Sequence, residues 1–218
     1  MRLALQLRIE YHSSRTVQFY FIACEDSILT HLILVRHSIS QPEPGISAHR
    51  WTLTAEGQTR CAALAAQLRP YHITRIATSD EPKAVATAQL LSVHLETAAP
   101  LAIEPDFRET RRETAPYFDS EGEFHAAVHA AMTRPDEVLF GEESFSDARR
   151  RITLALGRAM NAHHSETLAV VTHGTIMSLL LGHISETDPF EIWRGLGMPA
   201  FAVLTPNMDL LELQSSIG

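Results

Sequence analysis

Apolar, β-rich runs that end in polar residues alternate along this chain with segments of helical periodicity, and this alternation constrains the fold more than any other feature. The run "LILVRHSIS" begins at Leu32 and places Arg36 and His37 at its end, and the later run "TLAVVTHG" ends in His173. Strands that alternate with helices form a largely parallel sheet covered on both faces. We therefore predict an α/β fold, a three-layer α/β/α sandwich around a mostly parallel sheet.

The segments between these runs carry helix start and stop signals. Thr54 is a predicted N-cap for "LTAEGQTRCAALAAQLRPY", which Pro70 ends. Asp80 is the predicted cap of "DEPKAVATAQLLSVHL", with Pro82 in the first turn, where a missing N–H does no harm. Further helices are predicted in "EGEFHAAVHAAM" and "SFSDARRRITLALGRAM", and from about residues 176 and 189. Short strands are predicted in "ITRIATS", around Leu101–Ile103 and in "FAVLTP".

Two histidines and a lysine are expected to meet at one edge of the sheet. Ligands of parallel α/β sheets bind outside the carboxyl ends of the strands, where His37 and His173 both stand. The strand that ends at Thr78 reaches the same rim and places Lys83 on the first turn of the next helix. Helix N-termini favour anions. Because Arg36 buried there without a partner would be costly, the pattern predicts a site for phosphate.

Charge and cysteine content narrow the class of partner. The formal net charge of −8 argues against nucleic acid or an anionic membrane as the main partner, since both require a basic face. With only Cys24 and Cys61 and no CxxC, the expected compartment is reducing, and we predict a cytoplasmic protein. The pattern contains no information on oligomeric state.

Six segments resemble, in order, the motifs of the histidine phosphatase superfamily, in its phosphoglycerate mutase-like branch. They are "LVRHS", "LTAEGQTR", "TSDEPKAVATA", "FRET", "GEES" and "VVTHGT". Each is weak alone, but the ordered set is specific. The resemblance runs from Leu32 to about Pro206 and implies a single histidine phosphatase domain over residues 31–218, preceded by an N-terminal extension, residues 1–30, of uncertain structure.

The resemblance implies three catalytic residues. His37 would attack phosphorus and form a phosphohistidine that water then hydrolyses, and a neutral imidazole is a competent nucleophile near pH 7. Glu109 would protonate the leaving alkoxide and later help to activate the water. His173 would stabilise the charge that spreads over the transferring phosphoryl group. Glu109 has competitors among nearby carboxylates, namely Glu104, Glu113 and Glu143.

The resemblance also implies a phosphate-binding set: Arg36, Ser40, Lys83 and His173. The fork of Arg36 can hold two phosphoryl oxygens. The reaction implied is metal-independent and needs no cofactor, and its partner is a small phosphorylated substrate.

Three positions depart from the family pattern. Ser38 stands where glycine is usual, which would be awkward if the backbone there needed a positive φ. Glu43 stands roughly where many members have an asparagine that binds phosphate. Lys83 replaces an arginine and loses its bidentate geometry, unless Arg111 or Arg112 reaches in from the loop after Glu109.

The favoured function is a phosphomonoesterase acting on small phosphorylated metabolites. The alternatives are phosphoglycerate mutase-type phosphoryl transfer and a catalytically impaired protein that binds a phosphorylated ligand. Mutases of this family resemble longer chains, and the short segment 110–141 favours hydrolysis. His125 and His129 share a helix face, as in zinc sites, but without a third ligand we expect an ordinary half-exposed face.

The N-terminal extension raises a separate question. Family members usually begin close to the first strand, so we expect deletion of Met1–Ile28 to leave folding and activity intact. The β-rich "TVQFYFIAC" is the counter-argument, because it has the composition of an added edge strand.

Overall fold

The computed structural model describes residues 3–11, 17–25, 31–164 and 166–217. The strands in these residues are β1 Leu3–Tyr11, β2 Val17–Glu25, β3 Leu32–Arg36, β4 Arg75–Thr78, β5 Leu101–Ile103, β6 Leu168–Thr172, β7 Ala200–Leu204 and β8 Leu210–Gln214. The helices are α1 Ala55–Leu68, α2 Pro82–Leu95, α3 Glu121–Thr133, α4 Phe145–Ala162, α5 Gly174–Ser185 and α6 Pro189–Gly195. Among these helices none is long and apolar enough to cross a membrane.

Six strands form one mixed sheet in the order β5-β4-β6-β3-β7-β8. The pairs β5–β4, β4–β6 and β6–β3 are parallel, whereas β3–β7 and β7–β8 are antiparallel. The predicted mostly parallel sheet is therefore confirmed, with antiparallel pairing on one side. In the pairing of β3 with β6, Arg36 lies opposite Thr172, so the residues that follow the two strands, His37 and His173, are neighbours at one rim.

Helices cover both faces of the sheet, as the three-layer prediction requires. One face packs on α1 and α2 through residues such as Leu64 and Leu91. The other face packs on α3 to α6 through residues such as Val128, Ile152 and Leu180. The two cores share no member because successive side chains of a strand point to opposite faces.

Most predicted helix starts are correct, and one is wrong. Thr54 caps α1 by accepting a hydrogen bond from the Gly57 N–H at 2.9 Å. Asp80 does not cap α2, because the N-cap position belongs to Glu81 and its side chain makes no capping bond. Asp80 instead forms a two-point ion pair with Arg108, whose Nε lies 2.7 Å from Oδ1. A paired arginine fork is a stronger partner for a carboxylate than a backbone N–H.

The N-terminal segment "TVQFYFIAC" lies largely in β2, which pairs with β1 along its whole length in an antiparallel two-stranded sheet. It is therefore not an edge strand of the main sheet, whose edges are β5 and β8. The sequence reading did not predict β8. Residues Leu211, Glu212 and Leu213 alternate apolar and polar types, but both leucines are exposed, unlike the apolar residues of a half-buried strand.

Candidate active site

His37 follows β3 directly, and its environment fixes which ring nitrogen is free. Its backbone N–H donates to the Thr172 carbonyl at 3.0 Å. Ring Nδ1 lies 2.7 Å from the Ser38 carbonyl oxygen, which can only accept, so Nδ1 carries the proton. Burial is the main reason that the pKa of His37 lies well below its usual value, and electrostatic repulsion by His173, Lys83 and Arg36 lowers it further. The ring is therefore neutral at pH 7, with an unprotonated Nε2.

His173 follows β6 and is fully buried beside His37, with ring centroids 5.1 Å apart. Its Nε2 lies 2.7 Å from Ser79 Oγ and 3.4 Å from Glu81 Oε1. Its Nδ1 is buried with no hydrogen-bond partner among the described residues. Burial, then the charge of Lys83, holds the pKa of His173 well below its usual value. A proton donated by Ser79 Oγ would leave the ring proton on Nδ1, whereas the Glu81 carboxylate, which only accepts, would hold it on Nε2.

Arg36 lies at the end of β3 with its guanidinium held against the start of α5. One Nη donates to the Leu196 carbonyl, while Nε is buried and unpartnered in the described part of the chain. A Cβ placed on Gly174 would lie 2.8 Å from the Arg36 Cζ, so only glycine lets the guanidinium lie there. Burial lowers the pKa of Arg36 to about 10, which leaves it charged at neutral pH.

Lys83 is 4% exposed and already has two partners. Its Nζ donates to the Ala48 carbonyl at 2.7 Å and forms an ion pair with Glu81. Glu81 is equally buried, and its other oxygen accepts the Glu109 N–H at 2.9 Å. A buried carboxylate therefore lies inside the cationic cluster. The sequence did not predict it, because Glu81 stands at a position of "TSDEPKAVATA" where the family motif specifies no residue type.

Glu109 reaches the same cluster from the loop after β5. Its carboxylate accepts the N–H groups of Thr175 and Ile176 at the start of α5, both at 3.0 Å, and that of Thr110 at 2.9 Å. Burial alone would raise the pKa of Glu109, but the electrostatic influence of His173 and Arg112 and these N–H donors outweigh it and leave the pKa lowered. Glu109 is therefore ionised before a ligand arrives.

Part of this cluster lines an open cleft, whereas Arg36, His37 and His173 are not among its lining residues. Its lining includes Glu81, Lys83, Glu109, Thr110 and Arg112. Two nitrogens, Arg36 Nε and His173 Nδ1, are buried nearby without partners among the described residues. Unpartnered buried donors are costly unless a ligand completes them. A tetrahedral anion such as phosphate fits this requirement.

Other predicted residues lie outside the cleft. Ser40 forms an isolated β-bridge with Leu53 and is not among the lining residues, and its role in phosphate binding stays a prediction. The Glu43 carbonyl accepts the Ile46 N–H in a turn, and its side chain does not line the cleft either. Ser38 has no positive φ, and its N–H donates to Thr87 Oγ1 at 3.0 Å, so serine is accommodated there without strain.

The carboxylates that compete with Glu109 are engaged elsewhere or exposed. Glu143 binds the Arg151 guanidinium and the Arg111 N–H, and Glu104 accepts the Asp106 N–H. Glu113 lies at the rim of the cleft and is exposed.

The histidine pair on α3 packs on aromatic rings. His125 contacts Trp193 at 4.9 Å and His129 contacts Phe190 at 4.5 Å between ring centroids. Within the described ranges no group of three His, Cys, Asp or Glu residues could hold a metal ion.

Comparison with known proteins agrees with this geometry. Residues 32–207 match the model of the histidine phosphatase superfamily (branch 1). The fold is similar to that of YhfR from Bacillus stearothermophilus, at 17% identity and TM-score 0.67 over 87% of this chain and 98% of that one. It is also similar to a mycobacterial glucosyl-3-phosphoglycerate phosphatase, at 17% identity and TM-score 0.65 over 87% of this chain and 100% of that one. A third similar structure is phosphoserine phosphatase from Entamoeba histolytica with 3-phosphoglyceric acid, at 17% identity and TM-score 0.66 over 86% and 98% of the two chains. No curated protein matches the chain.

Proposed function

The chain belongs to the histidine phosphatase superfamily, branch 1, and on this premise we propose that it is a metal-independent phosphomonoesterase that forms a phosphohistidine on His37. One observation carries the proposal. The Nδ1–H of His37 donates to the Ser38 carbonyl at 2.7 Å, which leaves a lone pair on Nε2, and two buried nitrogens of the same cluster, Arg36 Nε and His173 Nδ1, have no partner among the described residues. A nucleophile next to vacant oxyanion donors is the arrangement that phosphoryl transfer requires.

In the first step, the Nε2 lone pair attacks phosphorus and the bond from phosphorus to the ester oxygen breaks. Arg36 Nε and His173 Nδ1 donate to the phosphoryl oxygens, and Lys83 contributes its charge. Glu109 gives a proton to the leaving alkoxide. Glu109 is ionised in the free protein, so the substrate must bring the proton with it. The negative charge of the bound phosphoryl group then raises the pKa of the Glu109 carboxyl enough for it to hold that proton.

In the second step, water attacks the phosphohistidine and the P–N bond breaks. Glu109, now unprotonated, takes the proton from the attacking water. His37 returns to its neutral state and inorganic phosphate leaves. The charges of Arg36 and Lys83 do the work that a metal ion does in other phosphatases, which is the basis for proposing a metal-independent reaction.

Small phosphorylated metabolites are the proposed substrates. The charged groups lie in a concave cleft, and concave sites of this kind suit a small ester better than a flat protein surface. Two of the similar structures are named as phosphatases of phosphoserine and of glucosyl-3-phosphoglycerate, which supports this size of substrate. A cytoplasmic location, expected from the cysteine content, stays a prediction.

Trapping the phosphoenzyme tests the proposal. The protein is mixed with a panel of phosphorylated metabolites, and acid-labile, alkali-stable labelling is measured. We expect labelling of the wild type, none of His37→Ala and normal labelling of His129→Ala, a control histidine that packs on Phe190. His173→Ala should label about 10²- to 10³-fold more slowly, since it removes one oxyanion donor. Labelled His37→Ala would refute the mechanism, and a wild type that neither labels nor hydrolyses any ester would favour the impaired ligand-binding alternative.

A further inference from the structure

Arg112 is a cation in the cleft that the mechanism above does not use. It lies in the loop between Glu109 and α3, partly buried, with its guanidinium 5.2 Å from the Phe124 ring centroid and 5.3 Å from that of Phe140. In the chain as described, no hydrogen bond or ion pair engages this guanidinium. An arginine stacked on two rings keeps its N–H fork free for a planar, bidentate partner.

The backbone around Arg112 is fixed by close packing. Gly141 has φ +103°, and a Cβ there would lie 2.1 Å from the Arg111 carbonyl oxygen and 2.5 Å from the Arg112 Cα. The same carbonyl accepts the Glu142 N–H at 2.8 Å, and the Arg111 N–H donates to Glu143 Oε1 at 2.8 Å. These contacts hold the loop before any ligand binds, so little ordering remains to be done on binding.

The charge of Arg112 points to an anion in the cleft. Burial is the main reason that the pKa values of Arg36, Lys83 and His173 are lowered, and the charge of Arg112 lowers each of them further. The guanidinium therefore lies within electrostatic reach of all three groups that are expected to hold phosphate. Two carboxylates, Glu81 and Glu109, offset two of the three cations, Arg36, Lys83 and Arg112, so one positive charge of the cluster is left for an incoming anion.

Lys83 leaves a gap in the phosphate contacts. Lys83 stands where the family pattern has an arginine, and a single ammonium group cannot make the planar two-point contact of a guanidinium. Two of the three ammonium protons already go to Glu81 and the Ala48 carbonyl.

We propose that Arg112 is a phosphoryl-binding residue, whose fork makes the two-point contact with phosphoryl oxygens that Lys83 cannot make. The inference rests on the proposed function, because it assumes that the phosphoryl group occupies this cleft. The ligand class is inorganic phosphate and the phosphoryl group of a monoester.

Binding of inorganic phosphate to the full chain, followed by calorimetry or ³¹P NMR, tests the inference without turnover. Arg112→Met keeps an unbranched side chain against the two rings but removes the fork, and should raise the Kd for phosphate about 10- to 100-fold. Arg112→Lys keeps the charge alone and should fall between that variant and the wild type. Arg194→Met is the matched control, because Arg194 also lies over a ring, that of Phe190, but does not line the cleft. Its Kd should be unchanged.

The outcomes separate this inference from the proposed function. If Arg36→Met loses phosphate binding while Arg112→Met stays within twofold of the wild type, Arg112 is not a phosphoryl ligand and the proposed function stands. If the wild type neither binds phosphate nor forms a phosphoenzyme, the proposed function itself fails. Should Arg112→Met fail to fold, as its melting curve would show, Arg112→Lys decides: a Kd within twofold of the wild type overturns the inference.

A second readout distinguishes phosphoryl binding from recognition of the leaving group. Arg112→Met should reduce kcat/KM by the same factor for nitrophenyl phosphate and for 3-phosphoglycerate, because both present the same phosphoryl group. A loss confined to the carboxylated substrate would overturn the inference and assign Arg112 to a second anionic group.

Discussion

Replacing Glu109 by glutamine tests the general acid and has a structural effect that can be estimated in advance. The two carboxylate oxygens accept three N–H groups, those of Thr110, Thr175 and Ile176. Glutamine offers one oxygen and one NH₂, and an NH₂ cannot accept, so at least one N–H at the start of α5 loses its partner. The expected destabilisation is about 1–3 kcal/mol, measured by urea unfolding.

The kinetic effect depends on the leaving group. An alkyl alkoxide needs a proton to leave, whereas nitrophenolate leaves well without one. We expect Glu109→Gln to lose about 10²- to 10⁴-fold in kcat/KM with an alkyl phosphate and less than about tenfold with nitrophenyl phosphate. The comparison uses kcat/KM because that ratio reports the steps up to transfer onto His37, whereas kcat also contains phosphoenzyme hydrolysis.

Glu104→Gln is the matched control, since Glu104 also accepts a backbone N–H, that of Asp106 at 3.2 Å, but lies outside the cleft. It should leave both kcat/KM values unchanged. Equal losses of Glu109→Gln on both substrates would refute the acid assignment and leave Glu109 as a residue that positions α5. Glu81 would then be the next carboxylate to test, because it lies in the cationic cluster, whereas Glu143 is held by Arg151.

Three further predictions concern pH, metal and the N-terminus. His37 and His173 are neutral in the fold because their pKa values lie well below the usual one, so the unfolded chain binds more protons as pH falls below about 6.5. The free energy of unfolding should therefore fall by about 1 kcal/mol for each ring between pH 6.5 and 5.5. The double variant His37→Gln/His173→Gln should lose that part of the pH dependence. The same pH dependence of stability in the wild type and the double variant would contradict this. EDTA should not change activity, and loss of activity that zinc restores would instead implicate the pair His125 and His129. Deletion of Met1–Ile28 should leave activity and the melting temperature unchanged, because the removed strands β1 and β2 pair with each other and not with the main sheet. A drop in melting temperature of more than about 5 °C would show that these two strands stabilise the domain.

The architecture could be predicted because its signals are local in the chain. Four successive apolar residues, Leu32 to Val35, followed by a polar pair and a loop are typical of a buried strand, and the run before His173 is similar; both are buried strands in the structure. Parallel strands place their carboxyl ends together, so the meeting of the two histidines followed from the alternation of strands and helices. The β8 strand was not predicted, although Leu211, Glu212, Leu213 and Gln214 alternate apolar and polar residues.

Tertiary structure alone decided which charges join the two histidines. Glu81 belongs to the site because its carboxylate accepts the N–H of Glu109, which lies 28 residues later in the chain, and Arg112 belongs because Phe124 and Phe140 hold it from one side. A sequence pattern fixes where a side chain stands along its own element. Which groups meet across a cleft depends on the paths of loops whose contacts are long-range, and on charges whose pKa values are set by burial among those contacts.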